Sequence, residues 1–314
     1  MNARSSSSLS YSPNFQPGIP SDDTLIRGFI LALGAAGRKE TTLYIYDESI
    51  RSLSSFAKER DLPGLAAMDR HVVREWMSSL HQKGNKPATV SVRYRSLNRF
   101  FNWCVSEEER KDNPMDRIDP PRVPDTIQPY YSPQDVEKVI KAITPDNSYH
   151  LRDKALLLTL YDTGVRAAEL CGMLVNDLDW REQTITVTGK ADKQRKVSIG
   201  RKTAHAIERY LRRRRVESEW LWIGNNDNPL GLSGLRMMLN RRFNKVGITF
   251  RGAHGFRRGF AMEYLASGGQ QGDLKELGGW ENYAMVSRYA KANANERAVV
   301  AHKKLSPGDK LNVP

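Results

Sequence analysis

Five prolines crowd one short stretch, RKDNPMDRIDPPRVPDTIQPYYS, at Pro114, Pro120, Pro121, Pro124 and Pro129. A proline has no N–H to donate, and its ring clashes with the carbonyl four residues back, so such a stretch enters neither a long helix nor a central strand. Residues 111–131 therefore read as an extended linker dividing the 314-residue chain into two parts, each long enough to bury its own core. Just beyond it, Ser132 fits an N-cap, Pro133 the first helical position and Asp135 the first turn, where the helix dipole favours a negative charge. A second domain is expected to open beside Tyr131.

On the N-terminal side, residues 1–20 are rich in Ser and Pro and poor in large aliphatics, the composition of a flexible tail. From 21 to 110 apolar residues recur at spacings of three and four, with breaks at 34–38, 61–64 and 84–87, which predicts four helices and no strand. On the fourth, Leu97, Phe100, Phe101, Cys104 and Val105 form one apolar stripe, while Arg95, Arg99 and Asn102 fall on another face that can meet phosphates or water. From 132 to 314 helical patterns cover 132–143, 150–162, 202–217, 233–246, 255–267 and 283–291, and TGVRAAEL reads as a turn and short helix. Alternating residues at 184–187 and 196–199 predict two strands joined by GKADKQR. The expected fold is mainly α: a four-helix N-terminal domain, then a mixed α+β domain with a small antiparallel sheet.

Lys plus Arg number 49 against 36 Asp plus Glu, a net charge of +13 that suits a polyanionic partner. The charge is clustered in KADKQRK, RYLRRRR and RGAHGFRR, although a run such as Arg212 to Arg215 wraps all round a helix and must partly face water. The two cysteines, Cys104 and Cys171, have neither CxxC nor metal-ligand spacing, which argues against a disulfide framework and a structural zinc site. No apolar run approaches the ~18 residues of a membrane span, and no signal peptide is legible, so no membrane partner is expected.

Residues suited to phosphate chemistry are scattered over the last third: Arg166 in TGVRAAEL, Lys190 in VTGKADKQRKV, His254 and Arg257 in HGFRR, Trp280 in LGGW and Tyr289 in SRYAK. A guanidinium stays charged and offers a planar fork to two phosphate oxygens, so two arginines can neutralise a pentacoordinate phosphorane without a metal. Lys190, beside Gly189 in the strand-to-strand turn, can donate a proton to a leaving alkoxide. His254 and Arg257, three apart at a helix start, project toward the positive end of the dipole. Trp280 can donate its indole N–H. Tyr289 can attack if cations stabilise a phenolate whose parent phenol has a reference pKa of about 10. Singly, each also fits an ordinary role, as a surface ion-pair arginine, a solvated lysine, a structural histidine, a core indole or a half-buried phenol.

Together, the motifs resemble those of the tyrosine recombinases, the phage integrase family of site-specific DNA recombinases. That family's pattern runs TGxRxxEL, GKGxKxR, HxxR, an LG-type turn with His or Trp, and Tyr nine residues later; TGVRAAEL, GKADKQR, HGFR, LGGW and Tyr289 match it in order and spacing. FFNWCVSEEERKDNPMDRIDPPRVP likewise resembles the end of the family's core-binding domain and its linker. The resemblance implies a SAM-like core-binding DNA-binding domain at 21–110 and a catalytic domain at 132–314. It implies that Arg166 and Arg257 clamp the scissile phosphate, Lys190 protonates the 5′-oxygen, and His254 assists at the phosphate or accepts the tyrosine proton. Trp280 would donate to a non-bridging oxygen, Tyr289 would form a 3′-phosphotyrosyl bond, and Glu169, one turn beyond Arg166, would orient its neighbours. Arg95 and Arg99 are the expected DNA contacts of the first domain.

Three positions depart from the pattern: Trp280 replaces the commoner histidine, no glycine follows Lys190, and Arg258 stands where a second histidine is frequent, a charge without an assigned role. No cofactor is implied. The implied partners are double-stranded DNA, a homotetramer holding two duplexes, and accessory DNA-bending or directionality factors, in a cytoplasmic, nucleoid-associated setting. Integration or excision of a mobile element is the expected activity. Dimer resolution is the alternative, with a type IB topoisomerase or a non-catalytic DNA-binding protein further off. Residues 295–305 read as a last helix that packs in cis or docks on a neighbouring protomer.

Overall fold

The computed structural model describes residues 20–124, 128–189, 192–224, 227–292 and 294–312, so the expected tail lies almost wholly outside the described residues. The described residues up to 124 form one compact unit and those from 128 onward form another.

The first unit holds four helices: α1 (Asp22–Ala35), α2 (Glu40–Glu59), α3 (Arg70–Gln82) and α4 (Pro87–Ser106). Local chemistry sets their limits. The Ser21 side chain accepts from Thr24 N–H to start α1, the Asp69 side chain accepts from His71 and Val72 N–H to start α3, and Pro87 sits in the first turn of α4. The helices close on Phe29, Trp76, Phe100 and Phe101, with Phe29 in edge contact with both Tyr46 and Phe100. Of the expected α4 stripe, Leu97, Phe100, Phe101 and Cys104 are fully buried, but Val105, in the last turn, is 37% exposed. Asp22 ties three segments together: its Oδ1 accepts from Leu65 N–H at 2.7 Å and its Oδ2 from Ser54 Oγ at 2.6 Å. Asp22→Ala strands both donors and should cost about 1–3 kcal/mol, read as a lower urea midpoint at unchanged slope.

Between Glu107 and Ser132 the described residues hold no helix or strand, yet both ends of this proline-rich stretch are packed. Met115 and Ile118 join the first core, and Asn113 Nδ2 donates to the side-chain oxygens of Asn98 and Asn102. At the other end Tyr131 is fully buried in the second unit.

The second unit begins with α5 (Pro133–Lys141), α6 (Ser148–Thr163) and α7 (Ala167–Cys171), followed by β1 (Leu178–Asp179), β2 (Thr184–Thr188) and β3 (Gln194–Ser198). It continues with α8 (Arg201–Arg213), α9 (Leu232–Lys245), α10 (His254–Ala266), α11 (Gln271–Gly278), α12 (Tyr283–Lys291) and α13 (Ala294–Leu305). The sheet is antiparallel in the order β1-β2-β3, with Ile185 opposite both Leu178 and Val197, and the period-2 set Ile185, Val187 and Val197 faces inward. Two elements exceed the sequence reading. β1 is too short for alternation to register, and α11 carries glycines at both ends. α8 stops at Arg213 because Arg214 leaves the helix and its guanidinium donates to the carbonyls of Ser218 and Trp220.

Most of the unit's core gathers around α6. Beneath it the fully buried Asp153 carboxylate accepts from Arg152 on one oxygen and from Arg242 on the other. A separate apolar cluster joins α10, α11 and α12 and contains both Trp280 and Tyr289. Among the described residues no helix is long and apolar enough to cross a membrane.

Candidate active site

A glycine turn delivers Arg166. α6 ends at Gly164, whose φ of 59° is left-handed and where a Cβ would stand 2.4 Å from Phe260 Cδ1, so only glycine lets the chain reverse here. Two residues later Arg166 caps α7. Its backbone N–H donates to Glu169 Oε2 at 2.8 Å and its Nη1 to Glu169 Oε1 at 2.7 Å. The same carboxylate accepts both Nη groups of Arg195 on β3, at 2.9 and 2.8 Å. Burial opposes ionisation of Glu169, but hydrogen bonds from Arg195 and Arg166 outweigh it and hold the pKa at about 2. Glu169 is thus an anion throughout the neutral range, fixing two guanidiniums at once.

The C-terminus of α11 is the second anchor. Three consecutive carbonyls there each accept from a different arginine: Leu277 from Arg195 Nε at 2.9 Å, Gly278 from Arg257 Nη2 at 2.6 Å, and Gly279 from Arg166 Nη2 at 3.0 Å. The last carbonyls of a helix lack internal partners and carry its partial negative charge, so they suit a ring of cations. The LGGW sequence follows from this arrangement. A Cβ on Gly278 would stand 1.9 Å from the Trp280 ring, and Gly279, at a φ of 61°, lies against the Arg195 guanidinium, which a Cβ would approach to 3.0 Å.

Arg257, in the first turn of α10, is 4% exposed; its Nη1 donates to Gly164 O at 2.8 Å and its Cζ lies 4.0 Å from the centre of the Trp280 ring. Burial and then the like charge of Arg166 lower its pKa to about 10, so it remains a cation at neutral pH. Trp280 in turn lies with its ring 5.9 Å from that of Tyr289. Tyr289 is buried, which pushes its phenol up, while Arg258, Arg257 and Arg288 pull it down. His254, the first residue of α10, keeps an exposed edge. Desolvation and the charges of Arg257, Arg258 and Arg166 push its imidazole down, so at neutral pH it is an uncharged ring able to accept a proton.

Of the residues expected from the sequence, Arg166, Glu169, His254, Arg257, Trp280 and Tyr289 converge in the second unit, carried by α7, α10, the turn after α11, and α12. Lys190 lies outside the described residues. Of its described sequence neighbours, Gly189 N–H donates to Lys193 O at 2.8 Å. Arg95 and Arg99 lie in the first unit, exposed one turn apart on α4, beside Asn98 and Asn102. Arg195 was not expected. Its signal was the final arginine of GKADKQR, which the alternation of β3 places on the same face as buried Val197.

A helical first unit followed by a mainly helical second unit, with arginines, histidine, tryptophan and tyrosine converging from distant segments, defines a tyrosine-type site-specific recombinase. The profile of the phage integrase family matches residues 130–296, and that of the phage integrase N-terminal SAM-like domain matches 26–108. The chain belongs to the phage integrase family, whose members cleave and rejoin DNA. Similar proteins include the tyrosine recombinase XerC of Halalkalibacterium halodurans, 25% identical over 280 residues that cover 85% of this chain and 92% of that protein. The XerC of Escherichia coli O157:H7 is 29% identical over 258 residues, covering 79% and 84%. Among solved structures, XerH bound to a palindromic difH substrate in a post-cleavage complex shares the fold at a TM-score of 0.73, with 18% identity over 90% of this chain and 84% of that one. The integrase of transposon Tn1549 with transposon right-end DNA does so at 0.72, with 20% identity over 89% of this chain and 100% of that one.

Proposed function

We propose that the chain recombines double-stranded DNA at specific sites through a 3′-phosphotyrosyl intermediate, integrating or excising a mobile element. The observation that carries this reading is the joint placement of Arg166 and Arg257 on the carbonyls of Gly278 and Gly279, directly before Trp280, whose ring meets that of Tyr289. Tyr289 Oη attacks the scissile phosphorus, its proton passes to neutral His254, and the 5′-oxygen leaves with a proton from Lys190. Arg166, Arg257 and the Trp280 N–H balance charge on the non-bridging oxygens. A 5′-hydroxyl of the partner strand then attacks the phosphotyrosine and regenerates the phenol, so phosphodiester energy is conserved and no nucleotide cofactor is consumed.

In this reading residues 21–110 form a core-binding domain whose α4 presents Arg95 and Arg99 to DNA phosphates, 111–131 link the domains, and 132–314 carry the chemistry. Two duplexes require four copies. Val299, Val300 and Leu305, all more than half exposed on α13, supply an apolar surface for engaging a neighbouring protomer of that tetramer. Accessory DNA-bending or directionality factors would set which direction prevails. The test is a supercoiled plasmid with two directly repeated copies of the protein's own site, recovered by sequencing the DNA that becomes covalently joined to it. Two circles should form without ATP. Relaxation without exchange would instead identify a topoisomerase.

A further inference from the structure

Arg258 follows Arg257 on α10 and takes no part in the chemistry above. Its Nε donates to the carbonyl of Pro129 at 3.0 Å, and Pro129 is the first of three residues by which the chain enters the second unit under close constraint. Tyr130 O accepts from Arg251 Nη1 at 2.9 Å, and that guanidinium also holds Asp135. Tyr131 N–H donates to Gly255 O at 3.3 Å, while Tyr131 Oη accepts from Arg251 N–H at 2.5 Å. α10 is shaped for this segment: a Cβ on Gly255 would stand 2.6 Å from Tyr131 Cε2, and one on Gly259, a turn further along, 2.5 Å from Tyr131 O. α12 packs on the same helix, Val286 and Tyr289 sharing one buried cluster with Phe260 and Ala261, and Tyr130 packs on that cluster.

We propose that Arg258 is a positioning residue that couples the incoming segment, Pro129 to Tyr131, to Tyr289: the Pro129 carbonyl holds the guanidinium where its charge faces the phenol. The inference rests on Tyr289 being the nucleophile. The charged groups acting on that phenol are Arg258 and Arg257 on α10 and Arg288 on α12 itself; the Trp280 ring lies 5.9 Å from its ring, and Tyr130 packs on the same cluster. Arg257 is committed to the carbonyls of Gly164 and Gly278, whereas the hydrogen bond of Arg258 goes to the segment that tethers the first unit. Displacing that segment therefore frees the Arg258 guanidinium from the carbonyl that holds it, and with it one of the cations that favour the phenolate. Ionisation of the nucleophile becomes sensitive to how the tether lies.

The experiment is a pH titration of the full chain labelled with [13Cζ]tyrosine, in which Tyr289→Phe identifies the relevant resonance. Arg258→Gln keeps a donor for Pro129 but removes the charge, and should move the Tyr289 titration to higher pH; Arg258→Lys should restore it. Gly259→Ala leaves every charge in place but drives Tyr131 from its groove, and should reproduce the Arg258→Gln shift. If circular dichroism shows that this variant does not fold, Arg251→Gln, which releases Tyr130 and Asp135, replaces it. An unchanged titration in Arg258→Gln overturns the link to the phenol, and an unchanged one in the folded groove variant overturns the link to the segment. Adduct formation on nicked DNA is a separate measurement, so a wrong nucleophile assignment would show there while these shifts persist.

Discussion

Tyr289→Phe is expected to bind DNA with unchanged affinity and to form no covalent adduct. On a nicked duplex carrying the protein's site, the wild type should accumulate an SDS-resistant complex, because loss of the short cleaved strand removes the 5′-hydroxyl that would reverse the reaction. The substitution deletes one oxygen and keeps the ring against Trp280 and in the cluster of Val286 and Phe260, so the fold should survive it. The phenol's surroundings make the prediction sharp. Burial by itself would hold Tyr289 protonated, and Arg258, Arg257 and Arg288 oppose it. A buried phenol on which burial and several cations act in opposite directions, beside further cationic groups, marks a candidate reactive group. An adduct of normal yield from Tyr289→Phe would remove this residue from the chemistry and with it the proposed mechanism.

The fold was legible where periodicity persists over several turns. All four helices of the first unit, and α5, α6, α8, α9, α10 and α12 of the second, follow from apolar spacing and from breaks at Gly, Pro and Asp. Two short elements were not legible: Leu178 and Asp179 are too few to alternate, and QQGDLKELGG looks like a loop because glycine normally weakens a helix. Yet those glycines are what the site requires, since Gly278 and Gly279 bring their carbonyls to Arg257 and Arg166. The residues converging on the site could be named from their motifs, but the bonds that hold them together could not. Arg195 reaches Leu277 and Glu169 across large sequence separations, and spacing within GKADKQR gives no hint of either. Glu169 shows the same limit. Its place one turn past Arg166 is visible in TGVRAAEL, but its second guanidinium arrives from a different strand.

Arg166→Ala and Arg257→Ala should each slow cleavage roughly 10²–10³-fold, about 3–4 kcal/mol of transition-state stabilisation, with a smaller loss of DNA binding. The two should differ in what else they damage. The Arg166 side chain is 41% exposed and tied to Glu169, which keeps Arg195 when Arg166 is lost, so Arg166→Ala should unfold at nearly the wild-type temperature. Arg257 is buried, donates to the carbonyls of Gly164 and Gly278 and covers the face of Trp280. Its removal leaves two buried acceptors unpaired and a void against the indole, so Arg257→Ala should also lower the melting temperature. Arg257→Lys should not rescue cleavage: a single ammonium cannot span both carbonyls and still present a planar pair of donors to phosphate. Single-turnover cleavage on the nicked duplex, set beside thermal melts of the same preparations, reads both effects. Near-wild-type cleavage by Arg257→Lys would mean that only its charge matters, and the geometric part of the argument would fall.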